Sequence, residues 1–291
     1  GHSRRQGYTG VVDSAQGVTG RPLHSRGEEQ TAGVKGSRMR ILSIAMNTFR
    51  ENLREKLLYN LLFFALLMIG SSVLLSTLTL GDWNRLILDL GISSINFFGV
   101  LIAIFVGIGL VSKEIEKKTI FTIVSKPVPR YEFLLGKYIG LVGTLLINTA
   151  VMVAGLLLVL YYRDVAIDWM LFKALLLIFI EFMVITAVAL LFSTFTSATL
   201  SAIFTLAIYG IGHLSGDLKA FGEKMDAIGQ AVLNVVYYVL PNLERFNLKG
   251  HVIHHLDFGM ADMALTLAYG LTYAAFLLLL ASVIFQRRDF Q

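Results

Sequence analysis

Six long apolar runs divide the chain: Leu57 to Leu80, Gly91 to Val111, Tyr138 to Tyr162, Trp169 to Phe192, Ala198 to Leu214, and Met263 to Phe285. At 17 to 25 residues, each is long enough to cross a hydrocarbon core of roughly 30 Å as a helix. Lipid supplies no partners for open backbone groups, so helices are the expected spanning form. A transmembrane barrel would instead show alternation in segments of about ten residues. Between the second and third runs lies KEIEKKTIFTIVSKPVPRYEFLLGK, Lys113 to Lys137. Its charges and its two prolines, Pro127 and Pro129, predict a water-facing segment with a short amphipathic helix at its centre. Before the first run, Leu42, Ala45, Met46, Phe49 and Leu53 recur at helical spacing, opposite Arg50, Glu51, Arg54, Glu55 and Lys56. That pattern predicts an amphipathic helix over 39–56, lying along the membrane interface. After the fifth run, Met225, Ile228, Val232, Val235 and Val236 form another apolar stripe, which Pro241 terminates. It predicts a re-entrant or surface helix outside the membrane. The expected fold class is an all-α polytopic membrane protein: six transmembrane helices, an N-terminal amphipathic interfacial helix, and an external helix between spans five and six.

Composition agrees with that class and charge sets its orientation. Of 291 residues, 55% are apolar and 15% charged, against about a quarter charged in a soluble domain. With a cytosolic N-terminus and six crossings, 18 of the 25 Lys and Arg fall on the cytosolic side, as the positive-inside rule requires. Both termini, the 113–137 segment and the short 193–197 turn are then cytosolic. The net charge of +5 reports this asymmetry, and nucleic-acid binding is not needed to explain it. The chain has no cysteine, which excludes disulfides and thiolate metal sites. Residues 1–38 are glycine-rich, carry no apolar run and begin without methionine; they read as a disordered or non-native extension, with Met39 a plausible start. The expected division is therefore 1–38, the interfacial helix 39–56, and a transmembrane domain 57–291.

Inside the spans, Gly99, Ala103 and Gly107 place small residues at every fourth position, as do Gly136, Gly140 and Thr144. Such spacing lets backbones approach closely, with the partner helix in the same chain or in a second copy. Glu181 sits near the middle of the fourth run. A carboxylate at that depth costs roughly 2.5–3.5 kcal/mol on insertion scales, so it must be protonated, paired or wet. Two readings follow: a pathway or proton-linked residue, or an interhelical hydrogen bond to Asn148 or Asn96. His251, His254 and His255, followed by Asp257, could share a helix face and gather a metal. The patch is short, lies outside the spans and has no second cluster to complete four ligands, so no metal site is assigned and a solvated patch is preferred.

The run from Glu114 to Lys137, with EIEKKTI, SKPVPR and FLLGK in order, resembles the cytosolic loop of ABC-2 type permeases, the membrane halves of ABC transporters. TFRENLREK before the first span and LPNLERFN between the last two are similar to the same family, and the resemblance extends from Met39 to the C-terminus. It leans loosely toward the permeases linked to copper-enzyme maturation. Lys118 stands where the family usually has glycine. The resemblance implies that the loop forms a coupling helix, Lys117 to Ser125, docking on a separate cytosolic ABC ATPase. It assigns that contact to Glu114, Glu116, Lys118, Thr119, Phe121, Ile123, Pro127 and Arg130, with Phe121 and Ile123 as apolar plugs. Without a partner, the same loop would only orient the spans through its charge.

No phosphate loop occurs in the chain, so ATP and magnesium would belong to the partner ATPase and the chain itself is not expected to be an enzyme. The resemblance implies a homodimer or a pairing with a similar permease, set in membrane lipid. The expected location is the bacterial inner membrane. The resemblance also implies export rather than import, in keeping with a small outer segment. Glu181 and Asn148 are the candidate pathway residues. A membrane assembly, maturation or anchor component of the same fold is the alternative. An intramembrane protease is the poorer reading: its motifs are missing, and His213 is the only candidate base.

Overall fold

The helix Trp169–Ser193 has a mean hydropathy of 2.8 over its best window, with Lys173 near its start and Glu181 at its middle. In the computed structural model, which describes residues 23–77, 83–116, 129–216, 226–254 and 256–287, it is the central helix. The chain divides into two units, Gly1–Met39 and Arg40–Gln291. The helices in chain order are α1 (Leu23–Asn52), α2 (Lys56–Thr77), α3 (Trp83–Glu116), α4 (Arg130–Tyr162), α5 (Trp169–Ser193), α6 (Ala198–His213), α7 (Ala227–Val239), α8 (Lys249–Ile253) and α9 (Met260–Arg287). A single 3₁₀ turn, Glu244–Phe246, precedes α8. No strand occurs among the described residues.

Among the described residues five helices, α2, α3, α4, α5 and α9, are long and apolar enough to cross a membrane. The sixth expected run, Ala198 to Leu214, folds as α6 with 16 residues. At about 1.5 Å per residue it covers about 24 Å, short of the roughly 30 Å core. Conversely α3 and α4 hold 34 and 33 residues and are longer than one crossing needs. They extend into the segment expected to be a loop. Glu114 and Glu116 end α3, while Arg130, Glu132 and Lys137 open α4. Glu132 and Lys137 are only 1% and 4% exposed, so the water-facing segment expected to reach Lys137 ends sooner. The putting-away of these charges has partners: Arg40 Nη2 donates to Glu132 Oε1 at 3.2 Å and Arg40 Nε lies 2.9 Å from Oε2. The Lys137 ammonium sits 5.3 Å from the Phe133 ring centre.

Both small-residue ladders find their partners within the chain. Gly99 and Gly107 of α3 face α5: a Cβ at Gly99 would lie 2.0 Å from Phe182 Cζ, and one at Gly107 would lie 2.6 Å from Ala189 Cβ. Gly136 and Gly140 of α4 face α1, where a Cβ at Gly140 would lie 2.5 Å from the Ala45 carbonyl oxygen. The stripe Leu42, Ala45, Met46, Phe49 therefore splits. Ala45 is buried against α4, whereas Leu42 and Met46 stay exposed. The α1–α2 junction is a tight turn closed by Arg54 N–H to Glu51 O and Glu55 N–H to Asn52 O. At the far end of α4, Asp164 takes a positive φ of 51°, and Val165 N–H returns to Leu160 O, a left-handed helix stop. Asp168 then caps α5 by accepting from Met170 N–H.

Candidate functional site

The carboxylate of Glu181 is wholly buried in α5, and the side chains that meet it come from the two helices packed on that face, α3 and α6. Asn96 of α3 donates from Nδ2 to Glu181 Oε2 at 3.4 Å. Tyr209 of α6 donates its hydroxyl to Asn96 Oδ1 at 3.4 Å. One turn on, His213 Nε2 lies 3.5 Å from Glu181 Oε1. That spacing suits an ion pair but not a hydrogen bond, and Oε1 accepts none among the described residues. His213 Nδ1 faces the Tyr209 carbonyl at 3.3 Å, so its ring proton belongs there. A favourable Nε2–Oε1 contact then needs one further proton, on either atom. The four residues thus form a chain, Tyr209–Asn96–Glu181–His213, that can hold a proton between α5 and α6 in an apolar setting.

The expected partner Asn148 is not in this chain. It is buried in α4, and its Nδ2 donates to Thr144 O in its own helix at 2.9 Å. Asn96 is the amide that reaches Glu181. The difference is one of helix neighbourhood, which spacing along a single helix does not encode.

Next to this layer, the LPNLERFN stretch folds inward. Leu243 and Phe246 are fully buried, Leu243 N–H bonds to Gly212 O at 3.1 Å, and Phe246 lies where a Cβ on Gly270 would meet it at 3.0 Å, beside Ile180. Tyr269 stacks on Phe246 and accepts from Asn242 N–H through its hydroxyl at 2.9 Å. Sequence reasoning noticed these residues as a motif and missed that they form a plug. The signal was there: two large apolar residues three apart in a polar stretch, as a 3₁₀ turn would place on one face. The helix expected between the last two runs is present as α7 and stops before Pro241, with Ile228 and Val235 exposed.

The two described histidines of the patch, His251 and His254, belong to no metal-binding group among the described residues. Helix α8 ends at Ile253, so His251 is helical and His254 lies in the turn beyond it. His251 packs edge-on against Phe258, and His255 lies outside the described residues. Among the described residues no three His, Cys, Asp or Glu gather as a metal site.

At the end of the molecule where α3 stops and α4 starts, the predicted coupling residues divide. Lys118, Thr119, Phe121, Ile123 and Pro127 lie outside the described residues, and Glu114 and Glu116 are described only as the last turn of α3. Arg130 is placed: its Nη1 donates to Phe285 O at 2.9 Å and to Gln286 O at 3.0 Å, and its guanidinium lies 5.9 Å from the Phe285 ring centre. It satisfies orphan carbonyls in the last turn of α9 and favours the negative end of that helix. Phe133 stacks on the same Phe285. With Arg40 on Glu132, the first turn of α4 is fastened to α1 on one side and to α9 on the other.

Comparison with curated proteins gives no match. A family model described as ABC-2 family transporter protein matches residues 28–290, nearly the whole of this helical, membrane-spanning chain. The chain belongs to the ABC-2 transporter family.

Proposed function

We propose that this ABC-2 permease is the membrane half of an exporter driven by a separate cytosolic ATPase, which docks on the segment between α3 and α4. The supporting observation is how that segment is anchored. The chain leaves it at Arg130, whose guanidinium holds the end of α9, and enters α1 contacts two residues later through Glu132. A displacement there is passed to α1, α4 and α9 together, because packed helices shift as bodies rather than deform. The plug of Leu243 and Phe246, beside the Glu181 layer, gives the opposite end a closed state. Switching between closed and open ends, each with its own affinity for cargo, is the mechanism.

In this reading α6 is a short sixth crossing, both termini are cytosolic, and the membrane is the bacterial inner membrane. ATP and magnesium act on the partner, and a second permease, identical or similar, completes the transporter. Residues 57–291 form the transmembrane domain, 39–56 the interfacial helix before it, and 1–38 an extension. Phe121 and Ile123 supply the apolar contact with the ATPase, and Glu181 lies on the path that opens. Co-purification tests this. Phe121→Asp with Ile123→Asp should release the partner ABC ATPase while the permease still inserts and elutes as the parent does. Undiminished association would overturn the docking assignment.

A further inference from the structure

The segment 241–253, which carries the plug, is pinned on both sides and fastened in the middle. Before it, Tyr273 of α9 donates its hydroxyl to Val239 O at 2.8 Å. After it, Lys173 of α5 donates to Phe258 O at 2.8 Å. Between these pins the underside is apolar. Leu248 and Val252 are buried along with Leu243 and Phe246, while Glu244, Arg245 and Asn247 are exposed. From this strap the Lys249 ammonium reaches α3, where it lies 2.7 Å from Asp89 Oδ1 and donates to Ser93 Oγ at 2.8 Å. Asp89, Ser93 and Asn96 are spaced by four and then three residues, so they share one face of α3. The fastening therefore sits one turn from the amide that holds Glu181.

Docking of the strap is also opposed. The Asn242 side-chain oxygen and the Ser215 hydroxyl are shielded from solvent and have no hydrogen-bond partner among the described residues. Ser215 stands between Gly212, whose carbonyl accepts from Leu243 N–H, and Gly216, whose N–H donates to Glu244 Oε2 at 3.3 Å. Buried polar atoms without partners disfavour the state that buries them, and water entering this seam would satisfy both. Apolar burial thus favours the docked strap, two stranded atoms favour its release, and one ion pair ties it to the helix of Asn96.

We propose that segment 241–253 is a lid over the Glu181 layer, hinged at its pinned ends, and that the contact of Lys249 with Asp89 and Ser93 is the latch that keeps it shut. Lifting the lid breaks the latch, takes Leu243 and Phe246 from their seats and brings water to His213, the member of the layer next to Gly212. The lid rests on the closed end proposed above for the transporter and supplies the contact that must break for that end to open.

The chain has no cysteine, so a single introduced thiol reports on one place. Val252→Cys marks the underside of the lid, Ser215→Cys the seam beneath it, and Ala174→Cys, 0% exposed in α5, the body of the bundle. The measurement is the rate at which each, in the purified full chain in detergent, reacts with a neutral, water-soluble maleimide. Where reclosing is fast, that rate follows the open population. Lys249 and Asp89 are 37% and 39% exposed, so losing their pair should raise that population about fivefold, which corresponds to about 1 kcal/mol. Lys249→Met and Asp89→Asn should each accelerate both lid reporters by that factor. Together they should do no more than either alone, because both remove the same contact. Ala174→Cys should stay unlabelled throughout. Unchanged rates, acceleration of only one lid reporter, multiplied effects in the double variant, or labelling of Ala174→Cys in the latch variants would each overturn the proposal. Neither ATPase nor cargo takes part, so a failure of the latch and a failure of ATPase docking are separate results.

Discussion

Replacing Gly99 by alanine adds one methyl group where α3 and α5 touch. The ideal Cβ would stand 2.0 Å from Phe182 Cζ, 2.3 Å from Cε2 and 2.8 Å from Cε1, whereas carbon atoms prefer about 3.5–4.0 Å. Phe182 is fully buried, so its ring has no open space to enter, and α3 and α5 must part. Overpacking of this kind costs about 1–3 kcal/mol. For a domain of this size that corresponds to a fall in Tm of about 2–4 °C per kcal/mol, measurable by fluorescence-detected gel filtration of heated, detergent-solubilised protein. The second half of the argument is a rescue. Phe182→Leu alone opens a void and costs less than the about 3–5 kcal/mol of a Phe→Ala change. Combined with Gly99→Ala, the shortened side chain leaves room for the new methyl, so the double variant should be more stable than the two losses added together, by about 1–3 kcal/mol of coupling. Gly70→Ala, where no atom lies within 4 Å of the new Cβ, is the control and should leave Tm unchanged. Strict additivity of Gly99→Ala and Phe182→Leu would refute the claim that these two residues set the α3–α5 separation.

Glu181→Gln keeps an acceptor for the Asn96 amide and should express and elute like the parent. Glu181→Leu leaves that donor unpaired and should lower stability by about 1–3 kcal/mol, read in the same thermal assay. At the other end, Arg40→Ala should be more damaging than Glu132→Gln, because the first strands a carboxylate that is 1% exposed and the second removes its charge. The order of the two Tm values checks this, and the reverse order would sink it.

How much of this was legible in the sequence differs from element to element. Trp169–Ser193 was readable as a span because length and hydropathy are local properties, whereas the burial of 78% of its window, against 22% for Lys56–Ser76, is a property of the fold. Gly99 and Gly140 announced close contacts, but a spacing of four names a face without naming its neighbour. Only the fold shows that α5 occupies one face and α1 the other. Glu181 was flagged by the cost of burying it, and of the two amides offered as partners only Asn96 is in reach. Asn148 prefers the carbonyl one turn back in its own helix, a local bond that any mid-helix asparagine can make. The limits of the 113–137 segment were misjudged for a related reason. Charge alone argued for water from Lys113 to Lys137, yet Glu132 finds Arg40, which lies 92 positions away. A sequence read in short windows cannot see such a pairing. The plug of Leu243 and Phe246 escaped notice because its spacing of three is carried by very few residues inside a polar stretch.

The most hydrophobic helix of the chain is also the one that its neighbours most completely screen, with 78% of its apolar window buried. During synthesis α5 must leave the insertion machinery before α6 and α9 exist to cover it. A nascent chain that has reached only Ser193 therefore presents Ile180, which in the finished fold meets Gly270 of α9, to bare lipid or to a helper protein, and its carboxylate has as yet no histidine beside it. Met260–Arg287 packs on α5 and completes the screen, so α5 stays partly uncovered until a further long crossing has been made.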